Sequence, residues 1–571
     1  MLFKPNFGEY LMLKKWAPLV LSLTIAVILA VLAITPPAPK GIDTHADEFS
    51  SGRAMKDVRI IAAKPHPTGS EENRIVREYL LKRLDALGAD TKIESSALNA
   101  RALKRLNLWS GRNLSEQALF NVIGIFPGTD RSKPALLLMA HHDTVWDSPG
   151  AADDTIGIAA ILEIARATKD TPQSRDLILL FTDAEELGLN GAKDFFANSP
   201  LKDKIGAVIN VEARGGGGTA NLFQTSRDNG NAAKLFAKSV KEPSASSLST
   251  FVYNILPNDT DLTPALKKEY AAYNIANIGR AEYYHSPKIN SDTLDEATLQ
   301  HMGSQGLDLT RALLAADTIP ARKTDATFFD LFGFFTIVYP AILGWLFIAI
   351  SGVSYIAAIN SKDPKTDVLS GALRMVGFLF IGGALLYGLN FLSGSGKGSN
   401  YYDRLAAITQ LEILVGFFCF GAFAIFFGKS FSDNQRIGAA LPLFVMALFG
   451  QAFAPTATYF LGLTIMLCGV TALVNQKRAK TNLGLGITVV SAALISGYMI
   501  MLGHLLMQGV GPDLLSVAIL PAALAALAIL PLYSGLSKSI RRYIGLAGCI
   551  FAIAIALWIR LDPIASTVPT Y

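Results

Sequence analysis

Histidine and acidic residues gather at the ends of three short apolar runs in the first half of this 571-residue chain. PALLLMAHHD (134–143) ends in His141, His142 and Asp143. RDLILLFTDAEE (175–186) ends in Asp183, Glu185 and Glu186, and GAVINVEARG (206–215) carries Glu212 near its end. Asp153 and Asp154 stand just before the helical pattern TIGIAAILEIARA, and His285 follows in YYHSPKINSDT. Taken singly, each has an ordinary explanation. A His-x-Asp at a strand end is commonly a hydrogen-bonded pair, adjacent glutamates commonly open a solvated helix, and one acid after a strand means little. Their order is what chance does not readily give. So many carboxylates in one crevice would repel one another and drift toward the protonated form unless cations neutralised them. With histidine among them, the expected cation is a divalent metal.

Elements that bring these residues together can be read from the same segments. Continuous apolar runs alternating with helical patterns describe an α/β domain, a parallel sheet covered on both faces. In such a sheet the carboxyl ends of the strands converge on the edge where ligands bind. Asp153 and Asp154 then sit at the positive N-terminal end of the intervening helix. Upstream, HPTGSEENRIVREYLLKRLDALG offers Thr68 and Ser70 as helix caps, with Ile75, Tyr79, Leu80, Leu84 and Leu87 at helical spacing. Residues two apart on a strand share a face, so His141 and Asp143 are expected to point one way and His142 the other, into packing or a rim contact.

A chain of this length exceeds what one hydrophobic core holds, about 250–300 residues, so at least two folding units are expected. Hydrophobic residues make up 51% and charged residues 17%, against roughly 25% charged in globular proteins, which excludes both a wholly soluble and a disordered chain. All three cysteines, Cys419, Cys468 and Cys549, fall in apolar runs of the C-terminal half. That excludes a disulfide scaffold, and it excludes thiolate zinc sites and a cysteine nucleophile from the N-terminal half. Trp16–Ile34 is uncharged and just long enough to span a bilayer. A cleaved signal peptide is the competing reading, but no clean small-x-small site follows it.

Past Lys323 eight further spans are expected, near 329–358, 369–393, 405–428, 437–453, 456–475, 484–507, 514–533 and 543–560. With a cytoplasmic N-terminus, the inside loops carry Lys362, Lys365, Lys429, Arg436, Lys477, Arg478, Lys480, Lys538, Arg541 and Arg542, and the outside connections only Lys397, Arg404 and Arg560. Lys4, Lys14 and Lys15 add to the inside, and this asymmetry is what nine spans require. The net charge of +5 is therefore a topology signal, and no nucleic-acid partner is expected. The expected domains are a cytoplasmic 1–15, an anchor at 16–36, an extracytoplasmic α/β domain at 37–325 and an all-α eight-span domain at 326–571. Glu412 and His504 fall within spans, either as functional groups or as shallow residues solvated at the interface.

The stretches MAHHDTVWDSPGAADDTIG, FTDAEELGLNGAKDF, NVEARG and YYHSPKINSDT, with HPTGSEENRIVREYLLKRLDALG and NVIGIFPG before them, resemble the co-catalytic di-zinc exopeptidases over roughly 60–310. That family includes leucyl aminopeptidases and glutamate carboxypeptidases. The multi-span half resembles its membrane branch, the endoplasmic-reticulum metallopeptidases and vacuolar membrane proteases. The resemblance implies an α/β zinc-exopeptidase domain with a mostly parallel central sheet flanked by helices. It implies two Zn²⁺ per chain: His141, Asp153 and Glu212 hold one, and Asp153, Glu186 and His285 the other. Glu212 stands where many relatives have Asp; both are oxygen donors to zinc.

By the same resemblance Glu185 is the general base and Asp143 orients the ligand histidine. Tyr284 either helps hold the oxyanion or is a packed aromatic. Asp259 and Asp261 resemble a family segment near the site and receive no metal-ligand role. Arg214 either meets a substrate carboxylate or is a salt-bridged loop residue.

The implied function is release of N-terminal residues from peptides on the extracytoplasmic side, in a periplasm or an organelle lumen, with membrane lipid around the spans. Asp154 and Asp183 are among the acids available to recognise a free α-amine. Glutaminyl cyclisation is the alternative enzyme reading, but the family's cyclases usually lack a full second metal shell, whereas all five ligand positions are filled here. A non-catalytic receptor or scaffold would have lost ligands. A transporter with a peptidase-like sensor stays open.

Overall fold

A computed structural model of the chain describes residues 7–396, 400–478 and 481–562. Lys4, Lys397 and Lys480 lie outside the described residues. The chain divides into two compact units, one running from Thr35 to Pro340 and the other joining the N-terminal helix to the residues from Ala341 onward.

The first unit is built on a seven-stranded sheet of β1 (Asp90–Ala97), β2 (Ala118–Phe126), β3 (Ala135–His141), β4 (Leu177–Thr182), β5 (Ile205–Arg214), β6 (Thr219–Thr225) and β7 (Ala271–Ile278), in the order β1-β2-β4-β3-β5-β7-β6. Only the middle of the sheet is parallel: β3 pairs in parallel with β4 and β5, and β5 with β7. β1, β2 and β6 are antiparallel, so the sheet is mixed and not mostly parallel. Its parallel core consists of the apolar runs. Every residue of β3 and β4 is buried, as strands covered on both faces must be, whereas β1 is half-exposed. The helix Thr155–Thr168 is buried along almost its whole length.

Upstream, Ser70 caps the helix Glu71–Leu87, and Val76, Leu80, Leu84 and Leu87 are its buried apolar residues. Ile75, expected on that face, is 45% exposed. A strand hairpin, β8 (Ala326–Asp330) with β9 (Thr336–Pro340), belongs to this unit. The unit thus runs past the expected limit at 325, and the first half of the span expected near 329–358 is strand.

In the second unit, seven helices among the described residues are long and apolar enough to cross a membrane: Lys15–Ile34, Thr366–Leu392, Ile408–Phe426, Asp433–Phe453, Tyr459–Gln476, Asn482–Val510 and Lys538–Leu561. Two shorter apolar helices, Leu343–Ala357 and Leu515–Ile529, occupy the remaining expected spans. Arg404 is buried where Thr366–Leu392 ends, donating from Nη1 to the Ser393 carbonyl at 2.7 Å and from Nη2 to Asn390 Oδ1 at 2.6 Å. It neutralises the negative end of that helix. Glu412 Oε1 lies 3.0 Å from His504 Nδ1 and accepts from Gln508 Nε2 at 2.9 Å.

Candidate metal centre

The carboxyl ends of β3, β4 and β5 meet where β3 lies between the other two, the switch point at which a crevice opens in such sheets. His141 ends β3, Glu212 lies near the end of β5, and the turn after β4 carries Glu185 and Glu186. Asp153 precedes the helix Thr155–Thr168, and the chain returns after β7 to deliver His285.

The geometry centres on Asp153, whose two oxygens face different histidines. Oδ1 is 3.0 Å from His141 Nε2, and Oδ2 is 3.0 Å from His285 Nε2. Glu212 Oε2 stands 3.9 Å from His141 Nε2, and Glu186 Oε1 stands 3.3 Å from His285 Nε2. All five residues are buried. Donor atoms of Asp153, Glu186 and His285 fall within 4.8 Å of one another, as do those of His141, Asp154 and Glu212, and those of His141, Glu185 and Glu186.

Backbone geometry serves this placement. Ala184 and His285 take left-handed backbone angles, φ 60° and 54°, which non-glycine residues adopt at a cost and chiefly at functional sites. Gly150, at φ 65°, has no room for a Cβ, which would meet Thr144 Cγ2 at 2.3 Å and the Asp153 carbonyl at 2.7 Å.

Electrostatics make the centre unstable without positive charge. Burial pushes Glu212 up to about 8, and it likewise raises Glu186, Glu185 and Asp154 above the ordinary carboxylate range. For Asp153 burial acts the same way, but the hydrogen bonds and charges of His141 and His285 overcome it and hold the group low. Four buried carboxylates and the half-buried Glu185 gather around two imidazoles, a nitrogen and oxygen donor set that fits zinc.

Several sequence expectations change here. β3 stops at His141, so the two-residue alternation does not reach Asp143. His141 Nδ1 bonds the Asp143 backbone carbonyl at 2.9 Å, with the carboxylate at 3.6 Å. That carboxylate mainly accepts from the Glu185 and Glu186 backbone N–H groups, at 2.9 and 3.2 Å, and so fixes the turn carrying both glutamates. His142 points away, Nε2 to the Phe120 carbonyl at 2.9 Å and Nδ1 to Asn73 Nδ2 at 3.2 Å.

Asp154 is occupied as the cap of its helix, accepting from Gly157 N–H at 3.2 Å and from His141 N–H at 3.3 Å. Asp183 accepts from the N–H groups of Phe120 and Ala184 and from Thr68. Both carboxylates are engaged in these bonds and almost wholly buried. Tyr284 stacks on the His285 ring, centroids 3.9 Å apart, and the Arg214 guanidinium lies 4.9 Å from the tyrosine centroid.

Other residues at the site escaped the sequence. Thr68, expected as a cap, instead joins Asp183 to Asp143, at 3.0 and 3.3 Å. Asn210 Nδ2 lies 3.4 Å from Glu212 Oε1 and bonds Asn274 Oδ1 at 2.9 Å; its position two residues before Glu212 on β5 was the available signal. Asp261 is fully buried and takes the Thr182 hydroxyl, while Asp259 is exposed.

The model of peptidase family M28 matches residues 121–310, which contain all five candidate ligands. Residues 121–310 are a peptidase family M28 domain. Around this M28 domain the chain is 27% identical over 345 residues to the endoplasmic reticulum metallopeptidase 1 of Homo sapiens, covering 57% of this chain and 38% of the human protein. It is 32% identical over 256 residues to the vacuolar membrane protease of Schizosaccharomyces pombe, covering 44% of this chain and 30% of that protein. The match thus spans about a third of either relative's length. Among solved structures, the chain is similar to BSAP, a zinc aminopeptidase from Bacillus subtilis, at 14% identity and a TM-score of 0.39, over 49% of this chain and 99% of that one.

Proposed function

We propose that this chain is a membrane-anchored exopeptidase that holds two zinc ions and releases N-terminal residues from peptides on the extracytoplasmic side. The observation that carries the proposal is the split of Asp153 between two histidines, one on each oxygen, the arrangement a carboxylate bridging two ions needs. His141 and Glu212 would complete one site, Glu186 and His285 the other. Zinc, when bound, supplies Lewis acidity toward the scissile carbonyl and the attacking water.

The chain's own residues do the rest. Glu185 lies beside the ligand cluster and, because burial raises its affinity for protons, is suited to take a proton from the attacking water and return it to the leaving amine. Asp143 holds Glu185 in place through its backbone N–H. Tyr284, whose ring stacks on His285 with the Arg214 guanidinium beside it, is the residue we assign to help hold the oxyanion. With Asp154 and Asp183 engaged elsewhere, recognition of a free α-amine falls to the carboxylates of the centre itself. Arg214, held over an aromatic face, is a poor candidate for a substrate carboxylate.

The test is elemental analysis of the purified protein together with a screen of free and N-acetylated peptides. Two zinc ions per chain and cleavage confined to free N-termini are expected. One zinc in active protein, with cyclisation of N-terminal glutamine, would replace this proposal by acyl transfer. Removal of C-terminal acidic residues from blocked peptides, abolished by Arg214→Ala, would make it a carboxypeptidase.

A further inference from the structure

The hairpin β8–β9 turns through residues 331–335, and its tip leaves two consecutive phenylalanines in the open. Phe334 is 60% exposed and Phe335 52%. Among the described residues of this unit, the other large apolar side chains so exposed, Ile42, Ile60, Ile75, Ile93, Leu108 and Ile255, each stand singly in the chain. Scattered apolar residues need no explanation, whereas an exposed apolar patch marks a site of interaction.

The turn is pinned from within. Leu331 N–H donates to the Phe335 carbonyl at 2.9 Å, and Phe334 N–H to the Leu331 carbonyl at 3.1 Å. Asp330, the charge nearest the tip, is turned inward and 6% exposed, one oxygen accepting from Ala245 N–H at 3.0 Å and the other from Gly333 N–H at 2.8 Å. β8 is buried throughout, and its Phe328 exchanges two bonds with the Ser247 hydroxyl, at 3.1 and 3.0 Å. The phenylalanines are thus presented by a fixed turn whose charge and polar groups are bonded internally, as entry into an apolar medium requires. What that medium is follows from the chain beyond the tip. After Asp330 the next charged residue is Lys362, and between them lie the turn, β9 and the apolar helix Leu343–Ala357. Tyr339 and Trp345 stand along this stretch, and both residue types gather at the level of lipid headgroups. Phe335 is eight residues from Leu343, so it cannot stand more than about 28 Å from the start of that helix.

We propose that the tip of the β8–β9 hairpin is a lipid contact, with Phe334 and Phe335 seated at the boundary between headgroups and acyl chains of the adjoining membrane leaflet. No cation lies between Asp330 and Lys362, so the contact is apolar and demands no anionic headgroup. It ties the unit that carries the metal centre to the bilayer at a point separate from its two chain connections, and it does not depend on the peptidase reading.

The full chain, reconstituted in phosphatidylcholine nanodiscs and lacking Cys419, Cys468 and Cys549, carries a nitroxide at Phe334→Cys, at Phe335→Cys or, as the water-exposed reference, at Leu108→Cys. Power-saturation spectroscopy compares collisions with oxygen, which concentrates in lipid, and with a water-soluble nickel chelate. The oxygen-to-nickel ratio is expected to be several-fold higher at 334 and 335 than at 108. A ratio equal to that at 108 would overturn the proposal by placing the tip in water, and few collisions with either reagent would overturn it in favour of a protein surface, a second copy included. A second measurement keeps the native cysteines. Phe335→Trp adds a fluorophore whose emission, taken as the difference from the wild type, is expected to be quenched by phosphatidylcholine brominated near the headgroup end of its acyl chains; unquenched emission would count against the contact.

Discussion

Asp153 belongs to both histidines of the centre, while Glu186 and His285 belong to one side of it. Asp153→Ala is therefore expected to empty both metal positions, and His285→Ala to leave about one zinc per chain, read by elemental analysis after mild chelation. Equal loss from the two variants would contradict the assignment. Glu185→Gln is expected to keep its zinc and lose about 10²–10⁴-fold in turnover, because the amide preserves shape but accepts no proton. A metal-free Glu185→Gln would mean that the roles of Glu185 and Glu186 are exchanged. Most of these residues were legible in the sequence because each follows an apolar run or opens a helix, where chain direction dictates convergence, whereas His285 was legible only through the resemblance of YYHSPKINSDT. Asp143 was legible as a neighbour but not in its contact, since alternation ends with the strand at His141.

Between elements, His301 ties the helix Glu296–Ala315 to β6. Its Nδ1 accepts from Ala220 N–H at 3.2 Å, and its Nε2 donates to the Glu242 carbonyl at 2.8 Å. Both bonds need the neutral ring, and burial lowers its pKa to about 4, against about 6.5 unfolded. Stability from this group is complete above pH 6.5 and is lost as the pH falls toward 4, because the unfolded chain takes the proton first. The loss is on the order of 3 kcal/mol. Thermal unfolding of the detergent-solubilised protein should thus drop more steeply over that interval for the wild type than for His301→Gln; parallel curves would remove His301 from the acid response. The sheet itself was only partly legible. The parallel core announced itself as continuous apolar runs, but β1, DTKIESSA, carries no such run and its antiparallel pairing depends on β2. The hairpin β8–β9 was mistaken for membrane because TFFDLFGFFTIVYP is as apolar as a span and joins one directly; Gly333 at φ 78° and Phe332 at φ 54° mark the turn that breaks it.

For the whole molecule, the charge asymmetry of the loops predicts that Thr35–Pro340 is extracytoplasmic and that the connection holding Lys429 is cytoplasmic. In a background lacking Cys419, Cys468 and Cys549, Lys429→Cys should resist a membrane-impermeant thiol reagent on intact cells, and a cysteine at exposed Leu108 should react. Labelling at position 429 would invert the topology. The helix Leu343–Ala357 bears on where such a molecule can reside. Its 15 residues extend about 22 Å, well short of a hydrocarbon layer roughly 30 Å thick. If that helix crosses the bilayer, lipid must thin around it or neighbouring interfacial residues must be drawn inward, at a cost that grows with acyl-chain length. The protein would then partition toward thin membranes and away from sterol-thickened ones, a sorting preference written in the length of one helix.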